Sequence, residues 1–364
     1  MSDVYFSNLR TTYNNNLLDK LRKLIIKAGI NTIDFDEKFV AIKMHFGEPG
    51  NLAFLRPNWA KVVADVIKEK NGKPFLTDCN TLYVGGRKNA LDHLDSAALN
   101  GFSPLSTGCQ ILIADGLKGN DDVDIEINEK NVKEAHIGKA VVESDIIISL
   151  NHFKGHESTG FGGALKNIGM GCGSRRVKMD MHYNGKPHID IIKCINCGIC
   201  NKICAHDAPT VINGKREIDN IKCVGCGRCL ALCPKDAINP TTYSSNDLLN
   251  EKIAEYTKAV LKDKPSFHIS IVIDVSPNCD CHSENDAAIV PNVGLFASFD
   301  PVALDQACAD AINKMPVISN TMINTDKHED HFNHLHPTTD WNYALEYAEK
   351  INLGERKYKL ITVK

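Results

Sequence analysis

The sequence lacks any apolar run near the roughly 18 residues that would cross a bilayer. Its longest candidates are strand-length, such as Ile111 to Ala114 and Ile146 to Leu150, so no membrane role is expected. An excess of charge of one sign is also missing. With 42 basic and 45 acidic residues, the formal net charge is -3 over 364 residues, which argues against a phosphate-tracking surface and against nucleic acid as a partner. No basic stretch, apolar segment and cleavage site open the chain, so a cytoplasmic location is expected. No GxGxxG follows a strand and no Walker lysine motif occurs, which argues against a Rossmann-type dinucleotide or a P-loop nucleotide. What remains is an ordinary globular composition, 43% hydrophobic and 24% charged, with an unusual 14 cysteines. A chain of this length needs no disulfide framework, so reduced thiols used as metal ligands are the first expectation.

Short β-branched and aromatic runs alternate with amphipathic stretches through the first 150 residues. Lys38 to Phe46, Lys73 to Asp78, Cys109 to Asp115 and Ser144 to Leu150 read as strands. Between them, Leu17, Leu18, Leu21, Leu24 and Ile25, and then Trp59, Val62, Val63, Val66 and Ile67 after Pro57, recur at helical spacing. Such alternation predicts an α/β body, a largely parallel sheet with helices on both faces. The pattern stops near Lys154 and resumes near residue 246. There Leu248 to Leu261 reads as a helix, Phe267 to Val275 as a buried strand, and Asp300-Pro301 as the start of a helix through Asn313, with Asp300 as its N-cap and Asp305 on its surface. A helix near Trp341 to Ile351 and a strand over Lys357 to Val363 close the chain. The expected organisation is a discontinuous body, 1–187 and 241–364, interrupted by a small α+β module over 188–240.

That module carries an internal repeat. Ile192 to Pro209 and Ile221 to Ile238, offset by 29 residues, are identical at 9 of 18 positions. The repeat reads Cys194-x2-Cys197-x2-Cys200-x3-Cys204 and Cys223-x2-Cys226-x2-Cys229-x3-Cys233-Pro234. Three thiolates spaced by two residues on a tight loop can reach three irons of one cube, and the fourth must come from a remote segment. Paired zinc sites are the alternative for such CxxC runs, although eight cysteines so arranged fit zinc ribbons poorly. The segment resembles bacterial ferredoxins with two 4Fe-4S clusters, in which the fourth cysteine of each run ligates the other cluster. The resemblance implies Cys194, Cys197, Cys200 and Cys233 for one cluster, and Cys223, Cys226, Cys229 and Cys204 for the second. Ala205 stands where the family has proline. The module lacks a strongly acidic surface, so it reads as a wire serving the body it interrupts, with an external electron donor or acceptor as partner.

The body has its own chemistry. Seven glycines lie between Gly155 and Gly173, interleaved with His152, Lys154, His156, Lys166 and Cys172. So many glycines are not expected for packing a helix, and the segment follows a strand end, where open parallel sheets hold ligands; it reads as backbone approaching a ligand, or else as a flexible connection into the module. Asn278-Cys279-Asp280-Cys281-His282 follows another strand end. Cys172, Cys279 and Cys281 together could hold a third metal, with His282, Cys79 or solvent as a fourth ligand; a redox-active pair or two unligated thiols are the alternatives. His45 with Glu48 and Arg56 could bind a small anionic substrate or move protons, or form a polar loop. His328, His331, His334 and His336 have helical spacing but sit in an Asn/Asp-rich stretch and read as a solvated loop. Cys79, Cys109 and Cys308 read as core thiols.

Over the body as a whole, Ala41 to Asn51, Asp78 to Arg87, Asn151 to Arg175, Asn278 to Cys281, Asp300 to Asp305 and His336 to Trp341 resemble the domain-of-unknown-function 362 family, whose members often carry an inserted ferredoxin module. The resemblance implies an iron-sulfur redox protein. A shorter stretch, with His156, Gly160, Phe161, Gly163 and Lys166, is similar in spacing to nickel-pincer lactate racemases, where the histidine is an acid/base and the lysine tethers the cofactor; Gly162 and Leu165 depart from that pattern. It implies His156 and Lys166 facing one pocket, with His45 as a second acid/base and Lys166, if dry, at a lowered pKa. The function expected is an oxidoreductase passing electrons through two 4Fe-4S clusters to a substrate or metal site in the body. The alternatives are an electron carrier or maturation protein that docks to another protein, and a racemase-like acid/base enzyme with structural clusters.

Overall fold

The computed structural model describes residues 1–82, 85–183, 187–204, 206–212, 215–223, 229, 233–240, 246–323 and 330–364; Cys226 and His328 lie outside them. Eight strands form the central sheet: β1 (Ser2–Ser7), β2 (Phe39–Lys43), β3 (Lys73–Asp78), β4 (Gln110–Ile113), β5 (Ile146–His152), β6 (Ser266–Val272), β7 (Gly294–Ser298) and β8 (Tyr358–Thr362), in the order β8-β1-β7-β6-β5-β2-β3-β4. Only β7 runs antiparallel to its neighbours β1 and β6, and every other pairing is parallel. The fold is therefore mixed but mostly parallel α/β.

Alternation along the strands feeds two cores. Val40, Ile42, Ile146, Ile148 and Leu150 pack on one side with helices α1 (Leu17–Lys27) and α2 (Pro57–Lys68). Ala41 and Ile147 face the other, against α3 (Ala164–Gly169), α4 (Asn246–Leu261), α5 (Pro301–Asn313) and α6 (Trp341–Lys350). Both sides of the sheet are covered, as a parallel sheet requires. No helix among the described residues is long and apolar enough to cross a membrane.

Two expectations are corrected here. Asp305 is fully buried, not on the surface. Its carboxylate accepts from the backbone N–H of Ala164 (2.7 Å) and Leu165 (3.0 Å), which makes it the cap of α3 from across the core. Asp300 does cap its own helix, accepting from Val302 and Ala303. The glycines, in turn, do serve helix packing. A Cβ at Gly169 would overlap the Ile253 carbonyl oxygen of α4, one at Gly155 the Pro277 carbonyl, and one at Gly163 the Asp305 carboxylate. The segment folds as a tight hairpin, Lys154–His156 against Gly160–Gly162, followed directly by α3. Its closest approaches are chain on chain.

The connection between the neighbouring parallel strands β5 and β6 spans residues 153–265. It holds this hairpin, α3, the helix Arg175–Tyr183, and two small antiparallel strand pairs, Pro187–Ile189 with Ile238–Pro240 and Pro209–Ile212 with Lys215–Ile218. The chain thus leaves the middle of the sheet and returns to it.

Gly169→Ala should lower stability by the ~1–3 kcal/mol typical of overpacking, read as a lower urea midpoint with an unchanged m-value. A second expectation concerns His268, buried in β6 and held neutral because burial presses its pKa down to about 3. The unfolded chain binds this proton near pH 6.5 and the folded one near 3, so stability present above pH 6.5 is lost as pH falls through that window. Relative to His268→Gln, wild type should lose about 1.4 kcal/mol per pH unit between pH 6 and 4 in urea titrations.

Candidate functional site

The carboxyl ends of β2, β3, β5 and β6 lie along one edge, and the polar residues of the body collect there. Lys43, the last residue of β2, is buried with its Nζ 3.0 Å from Asp78 Oδ1 at the end of β3 and 2.7 Å from Asn167 Oδ1 on α3. Asn167 in turn donates to Asn151 Oδ1 of β5 at 2.7 Å. Burial alone would raise the Asp78 pKa, but the Lys43 ammonium outweighs it and holds the carboxyl below its usual range. These contacts fix α3 over the strand ends.

After β5, His152 places Nδ1 2.9 Å from both oxygens of Asp280 and Nε2 2.8 Å from the Ile273 carbonyl. Both partners only accept, so both ring nitrogens donate. Lys154 Nζ lies 3.7 Å from the same carboxylate. Asp280 is fully buried; burial opposes its ionisation, and His152 with Lys154 overcomes that. The Glu48 N–H donates to the Asp280 carbonyl at 3.1 Å and Asn51 Nδ2 to the His282 carbonyl at 3.0 Å, which ties the loop after β2 to the cysteine loop. His336 adds a third tie through the Pro277 carbonyl at 2.8 Å.

Those ties bring Cys279, Cys281, Lys166 and His156 together. Lys166 Nζ donates to Cys279 Sγ at 3.1 Å. His156 Nδ1 accepts from the N–H groups of Ser158 and Thr159, so its proton sits on Nε2. Cys281, Lys166 and His156 together outweigh burial and press the Cys279 pKa down, while its neighbour Cys279 and burial push the Cys281 pKa up. Lys166 does not have the lowered pKa expected of a dry lysine. Burial favours that outcome, but Cys279, Cys281 and Glu157 prevail and raise it. Beside them Glu157 Oε1 is 2.9 Å from His282 Nε2, and ligand atoms of Glu157, Cys281 and His282 lie within 4.8 Å of one another.

Cys172 belongs to a different neighbourhood. It is buried with Cys79, whose thiol donates to the Cys172 carbonyl at 3.3 Å, and burial pushes its pKa up to about 12. It is not in the metal-capable group of Glu157, Cys281 and His282, so the expected cysteine trio is not assembled. His45 does reach the site's edge. Its Nε2 is 2.7 Å from Arg87 Nη1, and burial with Arg87 holds its pKa well down, so the ring is neutral. Arg87 pairs with Glu48 at 2.6 Å, whereas Arg56 is exposed at the start of α2. Of the later histidines, His331 bonds the Met315 carbonyl and is buried rather than solvated.

In the β5–β6 connection, Cys194, Cys197, Cys200 and Cys233 line one cavity walled by Ile189, Ile195, Ile199, Pro234 and Ile238. The 29-residue repeat recurs as geometry. Asp190 and Asp219 accept at their side chains from Ile192 and Ile221, and at their carbonyls from Cys194 and Cys223. Their own N–H groups donate to Ala237 and Ala208, at 2.7 Å in both cases, and the N–H groups of Ala208 and Ala237 donate to the sulfurs of Cys204 and Cys233 at 3.4 and 3.2 Å. Asp207 and Asp236 share a left-handed φ, 49° and 46°.

The family model Domain of unknown function (DUF362) matches residues 40–310. The chain belongs to the DUF362 family. No curated protein matches it. Among solved structures, this DUF362 protein is similar to a crystallised protein from Thermotoga maritima, with 12% identity, a TM-score of 0.42, and coverage of 81% of this chain and 58% of that one. It is also similar to a lactate racemase apoprotein from Thermoanaerobacterium thermosaccharolyticum, with 12% identity, a TM-score of 0.35, and coverage of 75% and 51%. The chain thus spans little more than half the length of either.

Asp280→Asn should leave the His152 and Lys154 cations facing a neutral side chain in the interior and cost about 3–5 kcal/mol, read as a lower urea midpoint at pH 7.

Proposed function

We propose that this protein is an iron-sulfur oxidoreductase in which residues 188–240 form a two-cluster ferredoxin module serving the Cys279–Lys166 site of the body. The observation that carries the reading is the cavity whose lining joins Cys194, Cys197 and Cys200 to the distant Cys233. Its apolar walls and the N–H donors aimed at Cys204 and Cys233 suit a thiolate-bound cluster, whose potential responds to such hydrogen bonds. The second cluster would take Cys223, Cys226, Cys229 and Cys204. An external electron donor or acceptor completes the circuit. The module is linked to the body beside the site: Asp236, three residues after Cys233, pairs with Lys88 at 2.6 Å, and Lys88 adjoins the Arg87 that contacts His45.

The chemistry of the body site is that of a half-buried cation against a buried thiolate, with neutral His156 and His45 to hand for proton transfer. A small anionic substrate would find Lys166 at the site. A second reading, acid/base catalysis with structural clusters, draws support from His156, whose Nδ1 accepts from two backbone N–H groups and which therefore carries its single proton on Nε2. Cluster spectra that respond to substrate turnover favour the first reading, and spectra indifferent to it favour the second.

Anaerobically purified protein should contain about eight irons and as many acid-labile sulfides per chain, and dithionite should produce an EPR signal of reduced 4Fe-4S clusters. Zinc without labile sulfide would remove the cluster reading. Lys166→Met should keep that iron content and that signal while abolishing turnover.

A further inference from the structure

We propose that Cys279 and Cys281 are a two-electron dithiol/disulfide centre that exchanges electrons with the two clusters. The inference rests on the cluster reading above and gives the electrons a destination within the chain.

The two thiols are held unequally. Cys279 is 1% exposed, yet its sulfur receives the Lys166 ammonium at 3.1 Å. A cation on a buried sulfur stabilises a thiolate. Cys281, one residue away and half-buried, has its pKa pushed up beside Cys279 and keeps its proton. A thiolate with a protonated thiol one residue away is the reduced half of a disulfide couple. A resident metal fits the same residues less well. The Lys166 cation already occupies the Cys279 sulfur, and Glu157 Oε1 is already paired with His282 Nε2 at 2.9 Å.

Oxidation joins Cys279 Sγ to Cys281 Sγ, breaks the Cys281 S–H bond, and releases two electrons and one proton. Each oxidised cluster accepts one electron, so two clusters match one disulfide. The proton leaves by the part-exposed Glu157–His282 pair, each of which has a ligand atom within 4.8 Å of Cys281 Sγ; Glu157 Oε2 has no hydrogen-bond partner among the described residues. On the electron side, the Asp236–Lys88 ion pair and the Arg87–His45 contact join the Cys233 loop to this site.

The test uses full-length, anaerobic protein, reduced with dithionite, desalted and oxidised stepwise with thionine. At each step the sample is denatured in acid with N-ethylmaleimide, digested and weighed. The peptide holding Cys279 and Cys281 should carry two maleimides when reduced; when oxidised it should carry none and be lighter than its free dithiol form by two hydrogens. Wild type should yield four electrons per chain and Cys281→Ser two, with the cluster EPR signal kept in both. Since Lys166 favours the reduced form, Lys166→Met should move the pair toward disulfide by about tenfold at a fixed potential, or ~30 mV. Two maleimides at every potential would overturn the proposal, as would a stoichiometric metal lost with Cys281→Ser. A disulfide that forms in protein without labile sulfide would instead sink the cluster reading, and with it the claim that clusters are the pair's electron partner.

Discussion

The arrangement depends on a buried cation at the end of the second strand. Lys43 has almost no contact with water, and its ammonium is shared between Asp78 and Asn167. An ammonium in such a place is tolerable only when paired and hydrogen-bonded, and removing a partner is expensive. That demand fixes three elements at once: the ends of β2 and β3, and the short helix α3. Lys166 is the residue next to Asn167, so the bracket that neutralises Lys43 also sets the position from which Lys166 meets Cys279. From the other side, Asp305 holds the first two amides of α3. A six-residue helix is too short to be stable by itself; clamped at both ends it becomes a rigid mount.

The cysteine loop is mounted by the same logic with the signs exchanged. Here the buried charge is the Asp280 carboxylate, and His152, the last residue of β5, and Lys154, at the start of the hairpin that follows, are its counterions. Cys279 and Cys281 flank that carboxylate, so the ion cluster that anchors Asp280 also presents the two sulfurs. Each wall of the site is thus built from a desolvated ion whose requirements are met by a neighbouring strand, and the reactive groups are one residue away from the anchors. Such placement separates rigidity from reactivity, because the anchors are saturated while Lys166, Cys281 and His282 keep part of their surface open.

Much of this was legible in the sequence, and the failures have physical causes. Strands such as Lys73–Asp78 and the helix Pro57–Lys68 follow from periodicity because each buries a patterned face. The strands Ser2–Ser7 and Gly294–Ser298 went unassigned: the first fully buries only two of its six residues, and the second is five residues long and begins with glycine. The glycine-rich segment announced close approach but not to what, since a missing Cβ admits a carbonyl of the same chain as readily as a ligand. Asp305 read as surface because helical spacing shows one face at a time and α5 is covered on two. Cys172 was grouped with Cys279 and Cys281 by residue type alone, and no spacing rule could have told that its partner is Cys79. Arg87 ended a recognisable motif, yet its role depends on His45 and Glu48, which lie some forty residues earlier in the sequence.

Under the proposed function, residues 188–240 would be a module set in the β5–β6 connection and not at a chain end, and the topology bears on that position. Those strands are neighbours at the centre of the sheet and supply Lys154, His156 and the cysteine loop. A crossover between parallel neighbours must travel the length of the sheet in any case, so an insertion there adds little further loop-closure cost. It also returns the chain to the edge at which the polar residues converge. The Lys88–Asp236 ion pair then ties the loop after Cys233 to the segment that carries Arg87. An insertion at either terminus would begin at β1 or β8, which lie on the far side of β7 from these strands. Clusters held by residues 188–240, as proposed, would thus lie in the connection that leads into the strands flanking the sulfurs.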